Sequence, residues 1–199
     1  TQYVCIGWVG TGSAPPSGVG TSAVFNITSD STLDWLWNTN YWLNVSPGLN
    51  GSVDVSSMFV PAGSNVVLTA TPSNGWHFAG WSGGLSSTNN PLAIVMTNFI
   101  SVSANWAIDT NGITSSAGPN GNISPLGSVF VPYGASTNFM ITPNANYYVT
   151  NVIVDGASIG SPTNYTFNNV TNGGHTISAW FGINQYALTV TSLYGAPTP

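Results

Sequence analysis

Five aspartates (Asp30, Asp34, Asp54, Asp109 and Asp155), two histidines (His77 and His175) and a single cysteine, Cys5, make up nearly all the acid, base, thiol and metal-ligand chemistry this 199-residue chain has to offer. Catalysis needs such groups to converge, and these are strewn along the sequence. Asp54 and His77 fall in one stretch, but a Ser/His/Asp reading also needs a nucleophile beside them, and serine is too common here to mark one. Both histidines sit in strand-like runs next to aromatics, where a packed or surface imidazole is commoner than a metal ligand. Asp109-Thr110-Asn111-Gly112 echoes the start of a calcium loop without its later acidic ligands, and a turn explains it equally well. No glycine-rich phosphate cradle opens a helix. No catalytic residue, cofactor site or metal site is therefore expected. Cys5 has no intrachain partner and, in Tyr3-Val4-Cys5-Ile6-Gly7-Trp8, reads as a buried small apolar residue.

Lysine and arginine are absent, and the formal net charge is −5. Against a background of about one basic residue in nine, an empty count over this length has a chance on the order of 10⁻¹⁰, so the composition is selected. Nucleic-acid binding is excluded as an expectation, because phosphate affinity comes mostly from Lys and Arg. Polybasic attachment to anionic lipid fails for the same reason, and no apolar run has the ~20 residues of a membrane span. A lysine-dependent isopeptide staple is equally ruled out. Asn, Ser, Thr and Gly hydrate such a surface without strong mutual repulsion, so close packing of modules or subunits is tolerated. The lack of an initiator Met, signal peptide or anchor leads to the expectation of a processed or excerpted part of something longer.

What must position these residues is a repeat. One copy runs from Tyr41-Trp42-Leu43-Asn44-Val45-Ser46 through Gly51-Ser52-Val53-Asp54-Val55, Asn65 to Pro72, Trp76 to Gly83 and Leu92 to Met96, closing at Ser101 to Trp106. A second follows the same order from Gly121 through Ser136 to Pro143, Tyr147 to Gly156 and Tyr165 to Phe167, closing at His175 to Phe181. The spacing is about 70 residues, the size of a small all-β module. Tyr3 to Gly10 matches the strand at Trp76 to Gly83, Leu33 to Trp37 matches the strand ending at Trp106, and Tyr186 to Ser192 matches Tyr41 to Ser46. The expected organisation is the back part of an incomplete repeat over 1–40, complete repeats over 41–108 and 109–183, and the first strand of a following repeat over 184–199.

Within each module the periodicity is two. Leu33, Trp35 and Trp37 share a strand face, and the runs at Val66 to Ala70 and Phe139 to Thr142 end at Thr-Pro, where proline stops a ladder. Asp155-Gly156 between Val152-Ile153-Val154 and Ile159 marks a two-residue hairpin. No stretch of helical length keeps a 3.6-residue period free of Gly or Pro. The expected fold class is all-β: tandem sandwich-like or β-grasp-like modules in a beaded rod, with short joints at Asn38-Thr39-Asn40, Ala107-Ile108-Asp109 and Gly182-Ile183-Asn184. Trp8, Trp35, Trp37, Trp81, Trp106 and Trp180 are placed at matching module positions and expected in cores. Trp42 and Trp76 stand outside that pattern and are the candidates for carbohydrate contact. Asn-X-Ser/Thr acceptors occur at Asn26, Asn44, Asn50, Asn122, Asn164 and Asn169; Ser-Pro after Asn44 and Asn122 disfavours those two, which leaves Asn26, Asn50, Asn164 and Asn169 as candidate glycosylation sites.

Gly51-Ser52-Val53-Asp54-Val55, Pro61-Ala62-Gly63-Ser64 before Val66 to Pro72, Gly75-Trp76-His77-Phe78-Ala79-Gly80-Trp81-Ser82-Gly83 and Val102-Ser103-Ala104-Asn105-Trp106 together resemble the divergent internalin-B-type B-repeats of bacterial and archaeal surface proteins. The second copy matches through Pro132 to Ser136 and Thr142-Pro143, and departs at Asn151 to Gly156, where a valine-rich strand replaces the Gly-Trp pair. The resemblance implies a compact β-grasp-like or sandwich-like fold in the spacers, stalks and adhesive segments of large secreted proteins. It carries over no catalytic residue.

These readings converge on a non-enzymatic structural segment of an extracellular filament or cell-surface fibre. Tyr186, Leu188 and Val190 are the candidate assembly strand, expected to complete the partial module of another copy by β-strand addition. The expected partners are copies of the same chain or neighbouring repeats of one long chain, together with glycans. The rival readings are an adhesin or carbohydrate-binding repeat with exposed aromatics, and the stalk of a larger secreted enzyme.

Overall fold

The computed structural model describes residues 1–191 and 193–195, and among these there is no helix. Two compact units result, Thr1 to Ile108 and a second starting at Asp109.

The first unit contains β1 (Gln2–Thr11), β2 (Ser17–Gly18), β3 (Thr32–Ser46), β4 (Gly51–Val53), β5 (Met58–Pro61), β6 (Asn65–Leu68), β7 (Ala70–Pro72), β8 (Trp76–Gly83), β9 (Leu92–Val95) and β10 (Ile100–Ile108). One sheet runs β2-β1-β3-β10-β8, with β5 also paired to β3. Ladders β4-β7 and β6-β9 supply strands whose buried side chains meet that sheet. Alternation, broken at the β8 bulge, decides the buried set. Leu43 and Val45 of β3, Trp81 of β8 and Val102 and Ala104 of β10 share one core with Val66, Leu68, Ala70 and Ile94. Asn38, Thr39 and Asn40, expected as a joint, lie inside the uninterrupted 15-residue β3, and residues 1–40 belong to the same compact unit as those that follow. Thr69 separates β6, which pairs with β9, from β7, which pairs with β4, and side chains bridge the break. Thr69 N–H donates to Asp54 Oδ1 (2.7 Å), Ala70 N–H donates to Asn90 Oδ1 (2.9 Å), and Asn90 Nδ2 donates to Ala70 O (2.7 Å).

The second unit contains β11 (Thr110–Ala117), β12 (Gly121–Ser124), β13 (Gly127–Pro132), β14 (Thr137–Pro143), β15 (Tyr147–Val154), β16 (Ala157–Ser158), β17 (Asn164–Phe167) and β18 (His175–Ile183). Its sheets, β13-β11-β18-β15-β16 and β12-β14-β17, enclose a core built on Ile113, Ile123, Phe139, Ile141, Val152 and Ile177. This is a small sandwich. The Asp155-Gly156 hairpin forms as expected, with both residues at positive φ (50° and 80°) and Val154 opposite Ala157. Thr110 to Gly112, which echoed a calcium loop, belong to β11.

The two complete modules share a plan. An opening strand (the second half of β3; β11) lies parallel to the closing strand (β10; β18), and the closing strand pairs antiparallel with a bulged strand (β8; β15). β1 and the first half of β3 repeat the bulged and closing pair.

Candidate functional site

Three bulged ladders set the equivalences among modules. The register shifts between Cys5 and Gly7 in β1, between Val149 and Asn151 in β15, and between Asn105 and Trp106 where β10 faces Gly80 and Phe78. Trp8 opposite Trp35 then corresponds to Trp81 opposite Ala104 and to Val152 opposite Ala179. Cys5 opposite Trp37 corresponds to Phe78 opposite Trp106 and to Val149 opposite Phe181.

This register corrects the tryptophan assignment. Phe181, not Trp180, stands at the Trp106 position, and a one-residue difference in a strand reverses the face. Trp180 accordingly points outward, 43% exposed. Trp8 and Trp81 are buried as expected and Trp106 is half-buried, but Trp35 and Trp37 are 37% and 58% exposed. Trp42 and Trp76, the candidates for carbohydrate contact, are half-buried, and Trp42 packs edge-on against Phe59 with ring centroids 4.9 Å apart. Cys5 is half-buried rather than buried, with Sγ 3.6 Å from Gly7 O and 3.5 Å from Gly20 O.

The uncovered aromatics have a structural cause. In the complete modules a glycine of the facing layer lies against the closing-strand aromatic: Gly51 against Trp106, and Gly121 against Phe181, each too close for any side chain. Strands equivalent to β4–β7 do not face β1 and the first half of β3. Tyr3 (68% exposed), Trp35 and Trp37 are exposed on the face where Trp8, opposite Trp35, is buried with Gly18 close against its ring. The reverse face also exposes Val4, Ile6, Val9 and Leu36, where the complete module of the same unit has His77, Ser82 and Asn105 at three of the matching positions.

Residues 184–191, expected to begin a strand, are not in a strand and pair with no described strand. Ser192 and residues 196–199 of that expected strand lie outside the described residues. Tyr186, Leu188 and Val190 are strongly exposed, and Tyr186 Oη accepts a hydrogen bond from Asn184 Nδ2 (3.2 Å).

Asp54, Asp155 and His175 are spent on architecture. The Thr69 N–H holds the Asp54 carboxyl below its ordinary range. Desolvation pushes the Asp155 carboxyl up, but the Thr176 N–H (2.8 Å) and His175 Nδ1 (2.7 Å) outweigh it and leave the group lowered. His175 also lies against Phe167, with ring centroids 5.2 Å apart. His77 is on the outward face of β8, opposite Ala107. Among the described residues, no three His, Cys, Asp or Glu side chains gather as metal ligands. Of the glycosylation candidates, Asn26, Asn164 and Asn169 are exposed and Asn50 is half-buried. Asn169 sits at a turn with φ 50°. Asn44 Nδ2 is engaged by Ser101 Oγ at 3.1 Å.

Residues 41–110 match a family model described as a divergent InlB B-repeat domain. No curated protein and no solved structure matches the chain.

Proposed function

We propose that this chain is a non-enzymatic structural segment of an extracellular filament or fibre, a reading supported by the match of residues 41–110 to a divergent InlB B-repeat domain model. The observation that carries the reading is β3, one strand that closes one module and opens the next. Its aspartates fit the same role, since Asp54 and Asp155 act as backbone acceptors within the modules.

Assembly follows by β-strand addition between copies. The alternating Tyr186, Leu188 and Val190 repeat the pattern of Tyr41, Leu43 and Val45. Carrying the β3-β10 register onto the partial module sets Leu188 opposite Ser31 and Val190 opposite Leu33, parallel to β3. The donor then lies beside the uncovered Trp35 face. One strand supplies only part of the missing layer, so neighbouring repeats contribute the rest in a continuous fibre. Glycans at Asn26, Asn164 and Asn169 would hydrate a surface with no basic residue.

The test is electron microscopy with denaturing mass analysis of the purified chain and of a Leu188→Asp/Val190→Asp variant. Fibres that dissolve to a species near 20.6 kDa, and are lost in a variant with unchanged thermal unfolding, support strand exchange. Fibres unaffected by the double substitution refute it. The Tyr3, Trp35 and Trp37 face also favours a second reading, a sugar-stacking platform. A glycan array in which binding is abolished by Trp37→Ala would select that reading.

A further inference from the structure

The parallel pair formed by each opening and closing strand has a mechanical consequence. In the first unit Leu43, Asn44, Val45 and Ser46 face Ile100, Ser101, Val102 and Ser103. In the second, Ile113 to Ala117 face His175 to Ala179. The chain enters each module at the start of the opening strand and leaves at the end of the closing strand. Tension along the backbone therefore slides the two strands past each other, loading every rung of the ladder at once. The bonds run across the strands, so none can be opened singly.

Side chains reinforce both ladders. Asn44 Nδ2 donates to Ser101 Oγ (3.1 Å), and Ser116 Oγ donates to Ser178 Oγ (3.0 Å), each bridging a directly paired rung. On the inner face Leu43, Val45, Ile100 and Val102, like Ile113, Ser115, Ile177 and Ala179, are buried, which keeps water from competing for the ladder. Residues 47–99 and 118–174 lie between the two loaded strands of their module and stay off the load path.

We propose that the chain bears tension, and that the opening-closing ladder of each complete module is its force clamp. This rests on the structural reading above for the source of the force, but it does not require copies to assemble. β1 supplies an internal contrast. Gln2 faces Asn40, so tension entering at residue 1 and leaving through Tyr41 peels β1 from β3 one rung at a time.

The test is single-molecule stretching of the full chain by its termini. Forced unfolding reports the unfolding rate along the pulled direction, so geometry at constant sequence is the decisive variable. The expected trace has an early low-force event for the β1-β3 hairpin, followed by two events at several-fold higher force. Each of these releases roughly 200 Å of chain, from ~65–70 residues at about 3.3–3.6 Å apiece less the folded span. Featureless extension at low force would overturn the proposal. A second measurement holds the second unit, in a Cys5→Ala background, by two pairs of exposed handles. Thr110→Cys with Gln185→Cys shears β11 against β18. Thr110→Cys with Asn172→Cys pulls both strands from the same end and peels them. Peeling at several-fold lower force sustains the clamp, and equal forces in the two geometries refute it. Neither result depends on fibre formation, so a failed clamp and a failed assembly reading remain distinguishable.

Discussion

Replacing Gly51 by alanine tests how the two layers of a module are held in register. A Cβ at Gly51 would lie 2.6 Å from Trp106 Cε2 and closer to two other ring atoms, well inside the ~3.5–4.0 Å of ordinary carbon contact. Backbone conformation is no obstacle, since Gly51 is not among the residues at positive φ. The indole must therefore move. Its Nε1 donates to Pro47 O at 2.7 Å and its ring meets Phe78 edge-on at 5.9 Å, so displacement endangers both contacts. Overpacking costs about 1–3 kcal/mol, the hydrogen bond about 1 and the aromatic pair about 0.5–1.5, partly overlapping, while alanine returns about 0.4–1 through the unfolded chain. The net expectation is a loss of about 2–3 kcal/mol. Urea unfolding followed by fluorescence should move the first unit's midpoint down by roughly 0.7–3 M for a slope of about 1–3 kcal/mol/M. In a Trp106→Ala background the same substitution should cost nearly nothing, giving a coupling of about 2 kcal/mol. Gly112→Ala, whose Cβ would meet only Phe130 at 3.7 Å, serves as the tolerated control. If Gly51→Ala is neutral, or equally harmful with and without the indole, the account of glycine-aromatic interlayer packing is wrong.

Asp54→Ala should cost about 1 kcal/mol by leaving the Thr69 N–H without its acceptor between β6 and β7. Because the Asp54 carboxyl is lowered on folding, its stabilisation is present above the ordinary carboxylate range and is lost as pH falls through the folded value; melting curves from pH 7 to 2 should show Asp54→Asn with a shallower acid loss. Asp155→Ala removes the Thr176 and His175 contacts and puts alanine at φ 50°, for a loss of about 2–3 kcal/mol, whereas Asp155→Asn, which tolerates that φ, should recover part of it in thermal unfolding. Acrylamide quenching should fall most on Trp37→Phe and Trp180→Phe, whose rings are exposed, and least on Trp81→Phe.

The bulged ladders β8-β10 and β15-β18 match in register because both carry the same alternation, which survives the change from Trp81 to Val152 at one buried position. Proline ended β7 and β14 where Thr-Pro said it would, and Asp155-Gly156 turned its hairpin, because both signals act within a few residues. Longer-range facts were harder to read. Trp180 looked like Trp106 by residue type, yet only the ladder opposite Val149 and Asn151 reveals that Phe181 holds the inward position. Asn38-Thr39-Asn40 looked like a joint because polar residues cluster there, but Val4, Tyr3 and Gln2 pair with them and hold the backbone extended. The parallel opening-closing pairing has no local signature at all, since its partners are more than fifty residues apart. That pairing matters most to the proposed role. Composition alone explains why the surface tolerates close neighbours, but only the order of strands explains why pulling on the chain would load several rungs together.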